Sequence, residues 1–486
     1  MSSGHPTPIH TLNDDALLNI FHLYRPELTD EEEFCENGGR VLQGGKWGNE
    51  RWWYRLVKVC RRWRYLVLTS PSHLGLLLVC TYHTPISKML KHSHTLPLVL
   101  DFVDESCQMT TKDVSDILLA LKHRHRVQRI RLLAPVLQLQ KIIAAMDGYF
   151  PQLEFLYISP PSKHSTGLIF SETFRAPHLR HLVLINFAIQ MRSSFYTTTT
   201  SLITLSLQMV HPSAYFHPSD LLPHLSLMPR LEILGISFHS PAPSHEVAEQ
   251  VSNNPTMMYV TLPNLRWFAF GGVSAYLEAL LSHITTPLLE RLQIRFFHQP
   301  TATIAVSQLL QFMGKTKSLK FRSLKFSFGF EEVIVTAYPR GDGEVCALHM
   351  CVDCVHLKGQ VAAAARIFDA LGPAFSDVER LVLEDQRAAL SPEWDGRDDL
   401  PDRTQWRELL RPFGHVKSLL VPDSLVPELS CSLRLDGGEL PLDPLPELSE
   451  LVYVSKDNAD DLFLPFVDAR QIAGHAVRLV YRGASP

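Results

Sequence analysis

A spacing of three apolar positions recurs along most of this chain and limits the folds that it can adopt. An apolar residue is followed three and five positions later by two more, as in the segment LEFLYI that begins at residue 153. Thirteen copies occur, at a mean interval of about 29 residues. They begin at residues 127, 153, 179, 202, 231, 265, 289, 321, 345, 378, 416, 448 and 476. Such a repeat predicts similar units that stack and share one continuous apolar core.

Two further features show that the copies share one register. Eleven of the thirteen have leucine at the middle position, the exceptions being Ile130 and Phe268. In six copies a proline stands two residues before the first apolar position. These prolines are Pro151, Pro177, Pro229, Pro263, Pro287 and Pro446. Because proline fits at the start of a strand but not in its interior, the fixed offset marks where each unit begins.

The alternation within each copy predicts a β-strand. Side chains two positions apart, such as Leu182 and Leu184, point to one face of a strand, and the residue between them points to the other. The segments between copies, such as 218–228 and 275–285, have the spacing of amphipathic helices. The sequence therefore predicts an α/β fold in which helices pack behind a row of strands.

The composition excludes some classes of function. Lysine and arginine number 46, aspartate and glutamate number 50, and the formal net charge is -4. The chain therefore lacks the overall positive charge with which proteins bind the phosphate backbone of nucleic acids. The 8 cysteines are too sparse for the disulfide framework of a small secreted domain. The first residues, MSSGHPTPIH, do not form a basic segment followed by an apolar run. We expect a soluble intracellular protein, cytoplasmic or nuclear, that binds neither nucleic acid nor membrane.

The segment TLNDDALLNIFHLYRP predicts a helix ahead of the repeats. Leu17, Ile20 and Phe21 recur at the helical spacing of three and four residues. Asn13 precedes the helix, where its side chain can accept a hydrogen bond from the first turn. The residues that follow, 26–50, are first acidic and then glycine-rich, which predicts a flexible inserted loop.

The segment LVKVCRRWRYLV, residues 56–67, predicts a second helix. On a helical wheel its apolar side chains fall in one arc of roughly 120°, with the basic residues mainly on the other side. The arc consists of Leu56, Val59, Cys60, Trp63, Leu66 and Val67. After it, Ser70 and Pro71 predict a turn, and a short apolar segment can close over both helices. Such a small core needs a neighbour or a partner.

These N-terminal residues resemble the F-box, a helical motif whose second half contains the run VCRRW, which begins here at Val59. From the pair of tryptophans at residue 52 onward, the sequence resembles specifically the F-box-like proteins of mushroom-forming fungi. The resemblance covers residues 9–80 and implies a three-helix docking module, with 26–50 as an inserted loop.

The resemblance also implies a partner. An F-box binds a Skp-type adaptor and thereby a cullin-RING ubiquitin ligase, so the chain is expected to be a substrate-receptor subunit and not an enzyme. The residues implied in adaptor binding are Leu12, Leu17, Ile20, Phe21, Val59, Cys60 and Trp63. No cofactor and no metal is expected.

The repeats resemble leucine-rich repeats, in which each unit supplies one strand of a solenoid. Their intervals vary from 23 to 38 residues, so the expectation is an irregular leucine-rich-repeat-like solenoid over residues 95–486 that holds a target protein. The charged stretch 385–406 predicts a protruding loop. Residues that point out of the core within a strand are the candidates for target binding. They are Tyr157, Val183, Ser206, Ala269, Gln293, Val382 and Val452.

Two other functions remain open. One is an interaction scaffold with the same fold but no link to ubiquitin. The other is a metal-dependent enzyme built on the segment CALHMCVDCVH, residues 346–356, in which two cysteines have the C-x-x-C spacing of a zinc site. Its possible ligands are Cys346, His349, Cys351, Cys354 and His356. Because the repeat pattern already places this segment in a strand, we favour small buried cysteines over a metal site.

Overall fold

The computed structural model of the chain describes residues 8–25, 52–82, 84–92, 95–103, 109–161, 168–188, 194–211, 214–239, 257–297, 304–339, 345–387, 403–434, 444–454 and 460–481. The chain divides into two compact units, Met1–Ala214 and Tyr215–Pro486. The predicted loop at 26–50 lies outside the described residues, as does most of the predicted loop at 385–406.

The first unit begins with short helices and continues with alternating strands and helices. Its elements are α1 (Asp14–Leu23), α2 (Trp53–Leu56), α3 (Arg61–Thr69), α4 (Pro71–Leu74), β1 (Leu78–Cys80), α5 (Ile86–His92), β2 (Leu98–Phe102), α6 (Thr111–Leu121), β3 (Val127–Leu133), α7 (Val136–Ala145), β4 (Phe155–Ser159), β5 (His181–Ile185), α8 (Ser194–Thr198) and β6 (Thr204–Val210). Strands β1 to β6 lie side by side in chain order, and each neighbouring pair is parallel.

The second unit continues the alternation with longer helices. Its elements are α9 (Pro218–Ser226), β7 (Ile233–Phe238), β8 (Val260–Thr261), β9 (Trp267–Gly272), α10 (Ser274–Leu281), β10 (Ile284–Thr285), β11 (Arg291–Phe296), α11 (Ser307–Lys315), β12 (Ser323–Phe328), β13 (Glu332–Tyr338), β14 (Leu348–Asp353), α12 (Leu357–Leu371), β15 (Arg380–Asp385), α13 (Arg403–Leu410), β16 (Ser418–Pro422), α14 (Val426–Leu433), β17 (Glu450–Val454), α15 (Asp460–Ile472) and β18 (Arg478–Tyr481). Helix α13 begins inside the stretch predicted to be a loop, because Trp406, Leu409 and Leu410 bury one face of it.

The sheet of the second unit does not follow chain order throughout. The strand order is β7-β9-β11-β14-β13-β12-β15-β16-β17-β18. Strand β13 runs antiparallel to both β14 and β12, and the other neighbouring pairs are parallel. The chain therefore makes a three-strand meander at β12–β14, after which the parallel order resumes at β15. Strands β8 and β10 form a separate parallel pair.

All thirteen repeat segments contain a strand, as the apolar spacing predicted. The second and third apolar positions of the first twelve copies point into the core, as do Leu182 and Leu184, which are 0% and 1% exposed. In the last copy Leu479 is half-buried and Tyr481 is 57% exposed. Helices contact the strands beside them, α6 against β2 and α12 against β13 and β14. The chain is therefore an α/β protein with a mostly parallel sheet. Strands β1, β2, β8, β10 and β13 fall outside the thirteen copies and were not predicted.

The prediction of a single helix over residues 56–67 is wrong. Helix α2 ends at Leu56, a turn follows, and α3 begins at Arg61. Cys60 has extended backbone angles, φ -156° and ψ 172°, and its sulfur accepts a hydrogen bond from the Trp63 backbone N–H at 3.4 Å. Cys60 is therefore the N-cap of a new helix, a position that the wheel placed inside a continuous one.

Candidate protein-docking surface

Helix α1 has two apolar faces. Asn13 caps the helix as predicted, because its Oδ1 accepts a hydrogen bond from the Ala16 N–H at 2.8 Å. Leu17 and Phe21 are 0% and 1% exposed and form the face that packs inside the unit. Ile20 is 42% exposed, although the sequence placed it on the same face. The helix therefore contributes apolar side chains both to the core and to the surface.

Helix α3 packs beside α1 through aromatic and aliphatic side chains. The rings of Phe21 and Trp63 make an edge-to-face contact with their centroids 4.7 Å apart, a geometry that stabilises aromatic pairs. Leu66 and Val67 are buried on the same helix. Because Trp63 contacts Phe21 directly, it helps to hold the two helices together.

Arg62 joins α3 to the start of α1. Its Nη2 lies 2.7 Å from Asp14 Oδ1 and donates to the Leu12 carbonyl at 2.7 Å, and its Nε donates to Asp14 Oδ1 at 3.0 Å. The sequence pattern placed the basic residues of this segment mainly on a solvated side. Arg61 and Arg64 are exposed in this way, whereas Arg62 bridges two helices.

Six large apolar side chains on α1, on α3 and in the residues next to these helices are exposed, and we call them the docking surface. Leu23 is 83% exposed, the highest value in the group, and Tyr65 is 67% exposed. The docking surface consists of Ile20, Leu23, Tyr24, Val59, Tyr65 and Leu68. Several exposed apolar side chains within one small helical region are typical of a surface that another protein covers.

The seven residues predicted to bind an adaptor fall into three environments. Leu17 and Phe21 are buried, Ile20 and Val59 are exposed, and the others are half-buried. The half-buried ones are Leu12, Cys60 and Trp63. The predicted set did not include four members of the docking surface, which are Leu23, Tyr24, Tyr65 and Leu68. The sequence does contain a signal for Leu23, because it lies three residues after Ile20 and extends a second apolar stripe along α1.

The seven predicted target-binding residues all lie in strands, and the register brings them into three rows. The rows are Tyr157, Val183 and Ser206 in the first unit, Ala269 and Gln293 in the second unit, and Val382, Leu420 and Val452 in the second unit. Leu420, which completes the third row, was not among the predicted residues. By the alternation of strand side chains, each row lies on the face opposite the core leucines.

Four of these seven residues are too buried to offer much surface to a target. Val183 and Ser206 are 0% exposed, and Val382 and Val452 are 7% and 5% exposed. Val183 forms an apolar cluster with Phe155, against which Tyr157 packs. Parallel strands lie only about 4.8 Å apart, so large neighbours cover small side chains. Tyr157, Ala269 and Gln293 remain partly exposed.

An ion cluster lies on the same face as Gln293. Arg295, two residues along β11, places Nη2 2.9 Å from Glu332 Oε2 and 2.9 Å from Asp353 Oδ1. The Cys351 thiol donates to Glu332 Oε2 at 2.9 Å. Burial raises the pKa of Asp353, although the charge and hydrogen bond of Arg295 act in the opposite direction. The guanidinium thus supplies the positive charge that these two carboxylates share.

The Cys/His segment at 346–356 does not assemble as a zinc site in the described residues. The described part of the chain contains one group of three possible ligands whose atoms lie within 4.8 Å of one another, and it is Glu332, Cys351 and Asp353. No three of the five ligands proposed from the sequence come together in this way. In the group that does form, Arg295 already contacts both carboxylates.

No family model and no curated protein matches this chain. None of the helices in the described part of the chain has the length and apolar character that crossing a membrane requires. A function for this chain is therefore inferred from the geometry of these surfaces and from the residue pattern.

Proposed function

We propose that this chain is the substrate-receptor subunit of a Skp-cullin-F-box type ubiquitin ligase. Residues 9–80 act as an F-box-like module that docks a Skp-type adaptor. Residues 95–486 act as an irregular leucine-rich-repeat-like solenoid that holds the target protein. The subunit positions its target for ubiquitin transfer and carries out no chemistry itself.

The docking surface is the observation that carries this proposal. Its side chains lie on the helices whose sequence resembles the F-box, and Leu23 and Tyr65 leave most of their area in water. Covering one such side chain with a partner stabilises the complex by up to about 2 kcal/mol. An adaptor that covers several of them provides a complex with an apolar centre, which is typical of stable protein interfaces.

The strand face supports the second half of the proposal. Gln293, His349, Thr336 and Lys325 follow one another across neighbouring strands and are all partly exposed. The polar groups of Gln293, His349 and Lys325 can form hydrogen bonds with a target, and the rigid strands keep them in place. The Thr336 hydroxyl is buried and takes no part in this. In the first unit, taken by itself, the partly exposed Tyr157 can make an aromatic contact of the kind enriched in interfaces.

Binding of the purified full-length chain to a Skp-type adaptor tests the proposal. The double variant Leu23→Ala, Tyr65→Ala removes two exposed side chains of the docking surface without touching the Phe21–Trp63 contact. We expect it to weaken adaptor binding about tenfold to a hundredfold, as interface anchors do. The matched control is the double variant Leu137→Ala, Tyr259→Ala. These two residues lie outside the docking surface and are 74% and 78% exposed. The control should bind like the wild type.

Salt dependence and one basic variant complete the test. Binding through apolar side chains should weaken only modestly with added salt, and Arg61→Ala should change it little. Arg62→Ala is unsuitable as this control because Arg62 joins α1 and α3. If the wild type does not bind the adaptor, or if both double variants bind equally, the receptor proposal fails and the scaffold function takes its place.

A further inference from the structure

Arg291, the first residue of β11, has a positive charge that no described residue balances. Its guanidinium carbon lies 5.2 Å from the centre of the Trp267 ring, the geometry of a cation–π contact. Among the described residues, its side chain has no partner for an ion pair or a hydrogen bond. The adjacent Glu290 is paired with Arg266 at 3.1 Å instead. An aromatic ring therefore holds the guanidinium while its N–H donors stay available.

The Cys346 thiol is a titratable group on which the charge of Arg291 acts. Burial raises the pKa of this thiol to about 11, and the charge of Arg291 lowers it by a smaller amount. A thiol with such a pKa is neutral near pH 7. Cys346 therefore does not neutralise the guanidinium.

Two other cations on the same face of the sheet have acidic partners. Arg295 contacts both Glu332 and Asp353 at 2.9 Å. Lys325 Nζ lies 3.3 Å from Glu384 Oε2. An acidic group that approached either cation would compete with a partner that is already bound. At Arg291 no such competition arises from the described residues.

Uncharged and small residues lie next to Arg291 along this face. Gln293, two positions further on β11, is partly exposed, and its amide has no hydrogen-bond partner among the described residues. Ala269 on β9 and Gly235 on β7 lie in register with it and have little or no side chain. An extended segment can therefore come close to the sheet here, with the Gln293 amide and the guanidinium both within its reach.

We propose that Arg291 selects the targets of this chain by binding the carboxylate of an aspartate or glutamate in an extended segment of the target. The guanidinium donates two parallel hydrogen bonds to the carboxylate. The Gln293 amide bonds to the backbone of the same segment. This inference rests on the proposed receptor function and adds the chemical class of the group by which the target is recognised.

A carboxylate matches this site better than a phosphate group does. A phosphate group carries nearly two negative charges at pH 7, and it typically pairs with a cluster of arginines. The next arginine along β11 is Arg295, which Glu332 and Asp353 already share. Arg291 thus offers one available guanidinium, which corresponds to the single charge of a carboxylate.

Selection from a random peptide library tests the inference without knowledge of the target. The full-length chain is immobilised, and phage that display short random peptides are enriched on it and sequenced. We expect the enriched peptides to share an aspartate or glutamate at one position. The most enriched peptide is then synthesised with both ends blocked, so that no terminal carboxylate contributes, and its affinity is measured by fluorescence polarisation.

Substitutions on both sides of the contact assign the acidic residue to Arg291. Replacing the shared acidic residue of the peptide by its amide should weaken binding to the wild type about tenfold or more, since the charge-assisted pair is lost. The same replacement should change little in Arg291→Gln, which already lacks the pair. The matched control is Arg230→Gln, which removes the same charge from an exposed residue ahead of β7. It should bind like the wild type.

Circular dichroism checks the fold of Arg291→Gln. If that variant does not fold, Arg291→Lys replaces it and should also weaken binding, because an ammonium group lacks the two-pronged geometry of a guanidinium. The inference is overturned if no peptide is enriched or if the enriched peptides share no acidic residue. It is also overturned if phosphoserine at the shared position binds more tightly, or if Arg230→Gln weakens binding as much as the Arg291 variant.

Adaptor binding separates this inference from the proposed function. A chain that binds the adaptor but selects no acidic peptide loses this inference and keeps the receptor function. A chain that selects acidic peptides through Arg291 but does not bind the adaptor loses the receptor function, and the carboxylate site then belongs to the scaffold alternative.

Discussion

Cys346, Cys351 and Cys354 have different surroundings although they lie in one short segment. Burial raises the pKa of Cys346 to about 11. Its thiol donates a hydrogen bond to the Leu348 carbonyl at 2.8 Å. Burial also raises the pKa of Cys351 and of Cys354. A raised pKa favours the neutral thiol, which is a poor nucleophile and a poor metal ligand. Each residue is therefore better suited to packing than to chemistry.

Alkylation of the native protein at pH 8 with iodoacetamide should distinguish these thiols from Cys431, which is exposed. A thiol with a pKa of about 11 is ionised at pH 8 in roughly one molecule in a thousand. We expect Cys431 to be modified well before Cys346, Cys351 or Cys354, as followed by peptide mass spectrometry. The reaction at Cys346 should accelerate as the pH rises toward 11.

A chelator provides the control for the labelling experiment. If the segment holds no zinc, added chelator leaves all of the alkylation rates unchanged. Faster labelling of Cys351 and Cys354 after chelation, together with about one zinc ion per chain in the untreated protein, would restore the metal-site alternative.

At the scale of elements, the sequence predicts the strands well wherever one copy of the apolar spacing corresponds to one strand. The repeat frame predicted every strand from β3 onward except β8, β10 and β13, because burial of alternate side chains is a requirement of each repeat. It missed β13, although Val333 and Val335 alternate there as in any strand, since the frame allows one strand per copy. It also missed the break at Cys60, because a helical wheel presumes a continuous helix. The exposure of an outward-pointing side chain depends on the side chains of the neighbouring strands. The spacing within one segment gives no information about those neighbours.

The start of α11 illustrates how neighbouring helices stabilise one another. Glu278, on α10, accepts hydrogen bonds from the backbone N–H groups of Gln308 at 2.7 Å and Leu309 at 2.9 Å. It also accepts one from the Ser307 hydroxyl at 2.9 Å. The carboxylate thus caps a helix other than its own and lies at the positive end of that helix dipole.

Glu278→Ala should therefore lower the free energy of unfolding by about 1–2 kcal/mol, the usual range for loss of an N-terminal cap. Urea unfolding followed by circular dichroism measures the change. Glu290→Ala is the matched control, because Glu290 is exposed and forms an exposed ion pair with Arg266 at 3.1 Å. That control should change the free energy of unfolding by less than about 0.5 kcal/mol. Equal effects of the two substitutions would show that Glu278 does not act as a cap.

At the scale of the molecule, each unit consists of successive repeats, and in most of them a strand and a helix pack against those of the preceding repeat. In the second unit, β15, β16, β17 and β18 pair in succession and in parallel. A core built in this way is shared between neighbours, so the stability of one repeat depends on the next. Removal of a terminal repeat therefore exposes a surface that was interior, instead of leaving a finished end.

Deletion of residues 416–486 tests this dependence. It removes β16, which pairs with β15. It also removes α14, whose Ser432 carbonyl accepts a hydrogen bond from Arg407 of α13 at 2.9 Å. The buried Trp406, 0% exposed in the full chain, would lie in a helix that has lost this neighbour. We expect α13 to be cleaved early in limited proteolysis and the truncated chain to self-associate through the opened edge of β15. A truncated chain that is as monomeric in gel filtration and as resistant to protease as the full chain would show that the repeats do not share a continuous core.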